Sequence, residues 1–304
     1  MRCLRTRMLR RRMVLVFRWW SRMPDLWLRH AGGDVRGTMW VRDSGGDRWV
    51  AGTRRVSKPA PAPTGSVVDR FLASKPFYVA HRLGGTEYPE FTQKGLTESL
   101  RAGFKALELS VRRCSTGEFV LIHDWVTTRT VPGTDYQIWN TPWSVLSGLQ
   151  QASGGFMRLT DVVNQVGSDI VLAIDHKVTS SKPTGSQGDM DSEKELFDYL
   201  DTIPNAKDRV LIKQFAKGGV ADRAKAKGYK SMCMMYPNEV AGADLSLFDV
   251  LGMEWNAEQG VWDTLKATGK PLIAHIITTQ QQADIALARG ATGLMASVPS
   301  VVHP

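Results

Sequence analysis

The 304-residue chain is short of several things, and each shortage excludes a class of protein. Cysteine is scarce: Cys3, Cys114 and Cys233 are far apart and odd in number, which offers neither a disulfide framework nor metal-ligand spacing. They read as buried or incidental thiols. No apolar run approaches the roughly 20 residues of a membrane span, so no transmembrane segment is expected. Acid is absent from the first 22 residues, MRCLRTRMLRRRMVLVFRWWSR. The apolar MVLVF within them is too short for a secretory core, and Arg18 follows it at once. The scarcity of serine argues against an organellar transit peptide. A disordered start and a polyanion-binding arm both stay open.

Acid is not scarce further on. Residues 1–58 hold 15 Lys+Arg against Asp25, Asp34, Asp43 and Asp47, whereas the rest of the chain holds 24 basic and 26 acidic residues. The formal charge of +9 therefore belongs to the head. The near-neutral body gives no reason to expect nucleic acid as its partner. Binding of nucleic acid through the head would show as an affinity that collapses with salt and vanishes without residues 1–58. Apolar residues make up 42% of the chain, ample for a core.

Three regions follow in order. Residues 1–56 form a short, basic, Trp/Gly-rich head. Within it LWLRHAGGD (26–34) recurs as MWVRDSGGD (39–47), each copy pairing an alternating aromatic-aliphatic run with a Gly-Gly turn, as a small β-hairpin array would. These units resemble segments of bacteriophage tail proteins, which would imply a virion-tail location, with the cytoplasm as the alternative. SKPAPAPTGS (57–66) is a stiff, Pro-rich linker. Residues 67–304 form the body.

In the body short β-rich runs recur: FYVAHR (77–82), ALELSV (106–111), DIVLAIDHK (169–177), RVLIKQF (209–215), YKSMCMMY (229–236), VLGMEWN (250–256), KPLIAHIIT (270–278) and TGLMASV (292–298). Helical patterns lie between most of them. Leu96, Leu100 and Phe104 recur every four residues, and SEKE (192–195) reads as a capping box opening a helix. Near-continuous apolar strands alternating with helices predict a parallel sheet covered on both faces. Eight of them favour α/β architecture in the form of a closed (β/α)8 TIM barrel. EFVLIHD (118–124) follows the second strand too closely for a crossover helix and reads as a small hairpin arm above the barrel. The Ser/Gly-rich stretch 178–191 after the third strand reads as a lid or a tolerant surface loop.

Active sites of such barrels sit at the C-terminal ends of the strands. There the sequence places His81-Arg82, Glu108, His123-Asp124, Asp175-His176-Lys177, Lys213-Gln214, Glu254-Trp255 and His275. Phosphodiester cleavage needs this kind of set. One group takes a proton from the attacking oxygen, another gives one to the leaving oxygen, and imidazole suits both near neutrality. Arg, Lys or a carboxylate-held divalent metal balances the phosphate charge.

The segments carrying these residues resemble the glycerophosphodiester phosphodiesterase family in order from about Phe77 to Pro299. HR (81–82), PEFT (89–92), Glu108 in ALELSV, the STGEFVLIHD arm and TTRTVPG (127–133) match the family's HRG segment, PENT turn, E-x-D strand, HD arm and R-T-T-x-G loop. RLTDVV (158–163), DHK (175–177) and GATGLMASVP (290–299) match its later segments. The resemblance implies a metal-assisted phosphodiesterase, with His81 and His123 as acid–base pair, Arg82 and Lys177 gripping phosphate, and Glu108 and Asp175 holding Mg2+ or Ca2+. Gly84 and Gly85 would let the backbone pass close to the ligand, and Glu90 would begin the following helix. The departures are Leu83 for glycine, Phe91 for asparagine, Ser110 for the aspartate of E-x-D, Asp175 for glutamate and Ser297 for a closing aspartate. A site with two carboxylates should hold its metal weakly, with Asp124, Glu254 or water filling in. The expected substrate is a glycerophosphodiester, a phosphodiester-containing cell-surface polymer or a lipid headgroup. The alternatives are a catalytically degenerate binding module of a phage tail and a cyclising lyase of the phospholipase D toxin type.

Overall fold

The computed structural model describes residues 35–43, 46–54, 65–152, 154–177, 187–215 and 219–304. The basic start, the first repeat copy up to Asp34, most of the Pro-rich linker and residues 178–186 of the suspected lid lie outside them. The chain divides into two units, Met1–Pro63 and Thr64–Pro304.

In the first unit, Val35–Asp43 and Gly46–Arg54 form an antiparallel pair in whose register Trp40 lies opposite Trp49. The second repeat copy thus spans the end of one strand and the start of the other, with Ser44 and Gly45 outside the described residues.

The second unit is a closed barrel. Its strands are β1 (Phe77–Ala80), β2 (Ala106–Arg113), β3 (Val171–His176), β4 (Val210–Phe215), β5 (Lys230–Met234), β6 (Val250–Glu254), β7 (Leu272–Ile277) and β8 (Gly293–Ala296). Each pairs in parallel with the next, and β1 pairs with both β8 and β2, which closes the ring. Closure leaves no free edge within the ring. Phe119–Leu121 runs antiparallel to β2 with Val111 opposite Leu121, so the arm is a hairpin as expected. The helices around the ring include α1 (Val67–Ala73), α2 (Gln93–Arg101), α3 (Leu159–Gln165), α4 (Gln187–Asp201), α5 (Val220–Ala226), α6 (Gln259–Lys266) and α7 (Gln280–Arg289). Among the described residues no helix is long and apolar enough to cross a membrane. Cys114 and Cys233 are buried free thiols, and burial pushes the Cys233 thiol up to about 12.

Strand alternation sorts the core into two layers. Leu107, Leu109, Leu172, Ile174, Val210, Ile212 and their neighbours pack outward under the helices. Val79, Ala106, Val171, Ala173, Leu211, Met232, Val250, Ile273 and Met295 fill the interior. Helix α1 plugs the lower end with Val68, Phe71 and Leu72, which join that inner layer. A capping box fixes its start: Ser66 Oγ accepts the Asp69 N–H, and Asp69 accepts the Ser66 N–H.

Two local expectations are corrected. Helix α4 opens at Gln187, so SEKE lies inside it; Ser192 instead meets His176 Nε2 at 3.3 Å. Glu90 does not start α2: Thr92 caps that helix by accepting the Gly95 N–H, and Glu90 stays buried in the turn before it.

Interior packing makes Gly293 irreplaceable by size: an added Cβ would stand 2.1 Å from the Phe77 ring. Gly293→Ala should cost about 1–3 kcal/mol through overpacking. A lower urea midpoint at unchanged slope is the expected readout; an unmoved midpoint would show that Phe77 simply yields.

Candidate active site

The same alternation that fills the interior decides what faces the mouth. Above Ala106 on β2 the next inward positions are Glu108 and Ser110; above Ala173 on β3 comes Asp175; above Leu211 on β4 comes Lys213. Register then aligns Ser110 with Asp175 and Asp175 with Lys213, in one row across three strands. All four side chains are buried.

Lys213 Nζ donates to Glu108 Oε1 at 3.1 Å and to Asp175 Oδ2 at 2.8 Å. Lys177 Nζ reaches the same Asp175 oxygen at 2.8 Å. Glu108 Oε1 also accepts the Ser110 hydroxyl at 3.1 Å, and its Oε2 accepts the Arg82 backbone N–H at 2.8 Å. Burial opposes charge on both acids, but the ammonium groups prevail and hold Asp175 and Glu108 below the usual carboxylate range. Lys213 is raised despite its burial, by Asp175 and then Glu108. Lys177 is lowered, because desolvation there outweighs the pull of Asp175.

His81 lies in a short 3-10 turn, His81–Leu83, at the end of β1. Its Nδ1 is hydrogen-bonded with Ser297 Oγ at 3.1 Å, and Thr86 Oγ1 donates to that oxygen at 2.7 Å. This leaves Nε2 for the mouth. Burial pushes the imidazole down to about 3, with the charges of Lys213, Arg82 and His123 acting in the same direction and Glu108 against it.

His123 stands on the arm, its backbone carbonyl held by Arg112 through Nε at 3.1 Å and Nη2 at 3.0 Å. Its Nδ1–H donates to Asp124 Oδ1 at 2.7 Å, so Nε2 carries the free lone pair. Burial lowers its pKa, as does the nearby Lys177 charge, while Asp124 pulls the other way. Each histidine feels the Arg82 guanidinium.

A second network joins the two sides. Arg82 Nη1 donates to Glu90 Oε2 at 2.9 Å, Arg129 Nη2 donates to Glu90 Oε1 at 2.7 Å, and Arg129 Nε pairs with Asp124. The chain of contacts runs Arg82, Glu90, Arg129, Asp124, His123.

The expected residues therefore converge: His81, Arg82, Glu108, His123, Asp175 and Lys177 all belong to this mouth. Others are diverted. His275 Nε2 donates to the Met235 carbonyl at 3.2 Å, Gln214 accepts the Val220 N–H at the head of α5, and Asp124 is committed to His123 and Arg129. The bridging roles of Glu90, Arg129 and Lys213 were not foreseen. Only Lys213, an inward-phase lysine in an apolar strand, carried a readable signal. Gly84 and Gly85 also have a different reason from the one expected. A Cβ at Gly84, whose φ is +79°, would stand 2.7 Å from Pro299, and one at Gly85 2.8 Å from the Arg82 Cβ.

Two imidazoles, a buried acid–lysine nest and two arginines gather at one end of a (β/α)8 barrel, an arrangement whose charge suits an anionic substrate. The chain belongs to the glycerophosphoryl diester phosphodiesterase family, whose model matches residues 81–275. No curated protein matches. Among solved structures, a Silicibacter pomeroyi protein given the same family designation has a TM-score of 0.65 at 14% identity, covering 77% of this chain and 95% of its own. The Thermotoga maritima glycerophosphodiester phosphodiesterase has 0.57 at 18%, covering 73% and 94%. An Oleispira antarctica phosphodiesterase, in complex with the product sn-glycerol-3-phosphate, has 0.58 at 18%, covering 75% and 95%. At such identities these likenesses establish the barrel.

Burial of His81 makes stability depend on pH. Between pH 6.5 and about 3 the unfolded chain binds a proton at His81 that the folded chain refuses. Stability should therefore fall as pH falls through that window, by up to about 1.4 kcal/mol per pH unit. His275, pushed down to about 4, adds to the same trend. His81→Gln should flatten the dependence of the urea midpoint between pH 7 and 5; equal slopes in both proteins would place the proton uptake elsewhere.

Proposed function

We propose that this protein cleaves a glycerophosphodiester, or a closely related phosphodiester, by histidine acid–base chemistry. The observation that carries the reading is the pair of imidazoles, each oriented through Nδ1 by a different partner, Ser297 or Asp124, with Arg82 and Lys177 at hand.

His123 Nε2 takes the proton of the attacking oxygen, as Asp124 holds the tautomer that leaves it bare. The diester's negative charge raises the pKa of both rings on binding. In that complex His81 carries the proton that passes to the leaving alcohol as its P–O bond breaks. Arg82 and Lys177 grip the non-bridging oxygens, where charge concentrates in the transition state. With water as attacker the products are a phosphomonoester and an alcohol. With a neighbouring substrate hydroxyl the first product is a cyclic phosphate, the outcome of the cyclising alternative. A glycerol phosphate like the one bound by the Oleispira antarctica phosphodiesterase suits a mouth of this charge. Trp125 and Tyr136, exposed beside the Val126–Gln137 bridge, support a substrate whose alcohol is bulky, such as a lipid headgroup or a cell-surface polymer.

The family resemblance implies a divalent ion between Glu108 and Asp175. The residues present do not fit one. The facing oxygens of both carboxylates are taken by Lys213, and Ser110 supplies a hydroxyl where a third anion is needed. Among the described residues no group of three or more His, Cys, Asp or Glu is gathered for a metal. At an effective dielectric of about 20, two unit charges about 4 Å apart interact by roughly 4 kcal/mol. An ion of twice the charge beside the Lys213 ammonium would meet about double that, as repulsion. The degenerate binding module drew its support from Ser110 and from the Trp-Gly-Gly repeats; with Lys213 donating to the same Glu108 oxygen, the serine no longer argues for a lost function.

Turnover of an aryl phosphodiester and of glycerophosphocholine tests the reading, with 31P NMR to separate cyclic from linear products. His81→Ala and His123→Ala should each lower kcat by about 10²- to 10⁴-fold. Wild-type rates in either variant would remove that histidine from the chemistry.

A further inference from the structure

We propose that Lys213 is a built-in cation: its ammonium holds the place between Glu108 and Asp175 that the family resemblance reserves for a divalent metal, and diester cleavage here proceeds without one. The inference rests on the phosphodiesterase reading of this mouth but is separable from it.

Three observations carry it. The first is position. Lys213 Nζ lies within hydrogen-bond distance of both expected metal-binding carboxylates, one on β2 and one on β3. An ion bridging those two acids would have to occupy the same small volume.

The second is charge. The family pattern supplies three acids around a doubly charged ion. Here Ser110 removes one negative charge from the row, and an ammonium in place of the ion removes one positive charge. The net charge of the nest is unchanged, so the phosphate meets the same balance of charge. Either change alone would upset it; the two occur on β2 and β4, on either side of β3, with Asp175 between them in register.

The third is satisfaction of the oxygens. Glu108 Oε1 accepts from Lys213 and Ser110, Glu108 Oε2 from the Arg82 backbone, and Asp175 Oδ2 from Lys213 and Lys177. Three of the four carboxylate oxygens are engaged in this way, and charge-assisted hydrogen bonds of this kind favour the ionised form of both acids. Ser110, which would be a weak metal ligand, is a natural donor to a carboxylate already neutralised by lysine. Lys213 acts as a positioning and electrostatic residue: it holds Glu108, which in turn holds the Arg82 backbone N–H and so the turn that carries His81.

The test uses the full chain freed of metal. Calorimetric titration of the wild type with Ca2+ and with Mg2+ should show no binding at this site, and EDTA should change kcat/KM by less than about twofold. The double variant Ser110→Asp, Lys213→Ala restores three acids and removes the ammonium. It should bind Ca2+, gain thermal stability with rising Ca2+, and lose about 100-fold in rate under EDTA, with partial recovery on adding Ca2+. Lys213→Arg should keep the insensitivity to EDTA. A wild type that binds Ca2+ through Glu108 and Asp175, or that EDTA silences and Ca2+ revives, overturns the proposal. If no diester is turned over under any condition, the phosphodiesterase reading fails, while the wild-type calorimetry still decides what Lys213 does. Should the double variant not fold, Lys213→Met, which keeps the side-chain volume, takes its place.

Discussion

Glu108 and Asp175 project from adjacent strands into one small volume above a fully apolar interior, and neither can remain ionised there without a cation between them. Lys213 meets that constraint. The geometry of the mouth then follows outward from it. With Glu108 fixed, its second oxygen anchors the Arg82 backbone and so sets the turn bearing His81. With Asp175 fixed, Lys177 is drawn back over the floor, 6.0 Å from the Phe215 ring. Removing one partner of such a nest leaves an unpaired buried charge, a penalty larger than the net worth of the intact pairs.

Outside this floor lies a second tier, in which Glu90 joins Arg82 to Arg129 and Arg129 joins Asp124 to His123. The β1 turn and the arm are far apart in the chain and on different elements, yet each imidazole is braced through this tier. The guanidiniums stay fixed in orientation because each donates to a buried or half-buried carboxylate, and a fixed fork suits a phosphate better than a free one. Glu90 therefore shapes the mouth without standing in it.

Much of the barrel was legible because period-2 burial and the turn residues between strands are local signals. The eight runs became the eight strands, and EFVLIHD became the arm. Convergence of His81, His123, Glu108 and Asp175 was legible because strand ends share one rim. What stayed hidden depends on contacts between distant residues. Nothing near Lys213 says that its ammonium bridges β2 and β3, and nothing near Glu90 announces Arg129. SEKE misled because a capping box is a local pattern, whereas α4 begins earlier and Ser192 meets His176 across the fold. The departures at Leu83 and Phe91 make sense only with the backbone in view. Both have φ of 57°, where glycine or asparagine is at ease, and both are fully buried. Backbone strain of about 1–2 kcal/mol each is offset by burying a large apolar side chain, worth about 1.5–3 kcal/mol.

The seam between the first and last strands bears on how the protein is made. His81 meets Ser297, 216 positions later; Thr86 N–H donates to the Ser297 carbonyl, Ser300 N–H donates to Glu87, and Pro299 packs over Gly84. A ribosome delivers the β1 turn long before it delivers those partners. Until then His81 has neither its hydrogen bond nor its burial, and the nascent barrel is an open sheet with two unsatisfied edges. Completion of the site thus waits on the β8 segment and its Ser297, and a chain that still lacks them can neither process a substrate nor hide its seam from other nascent chains.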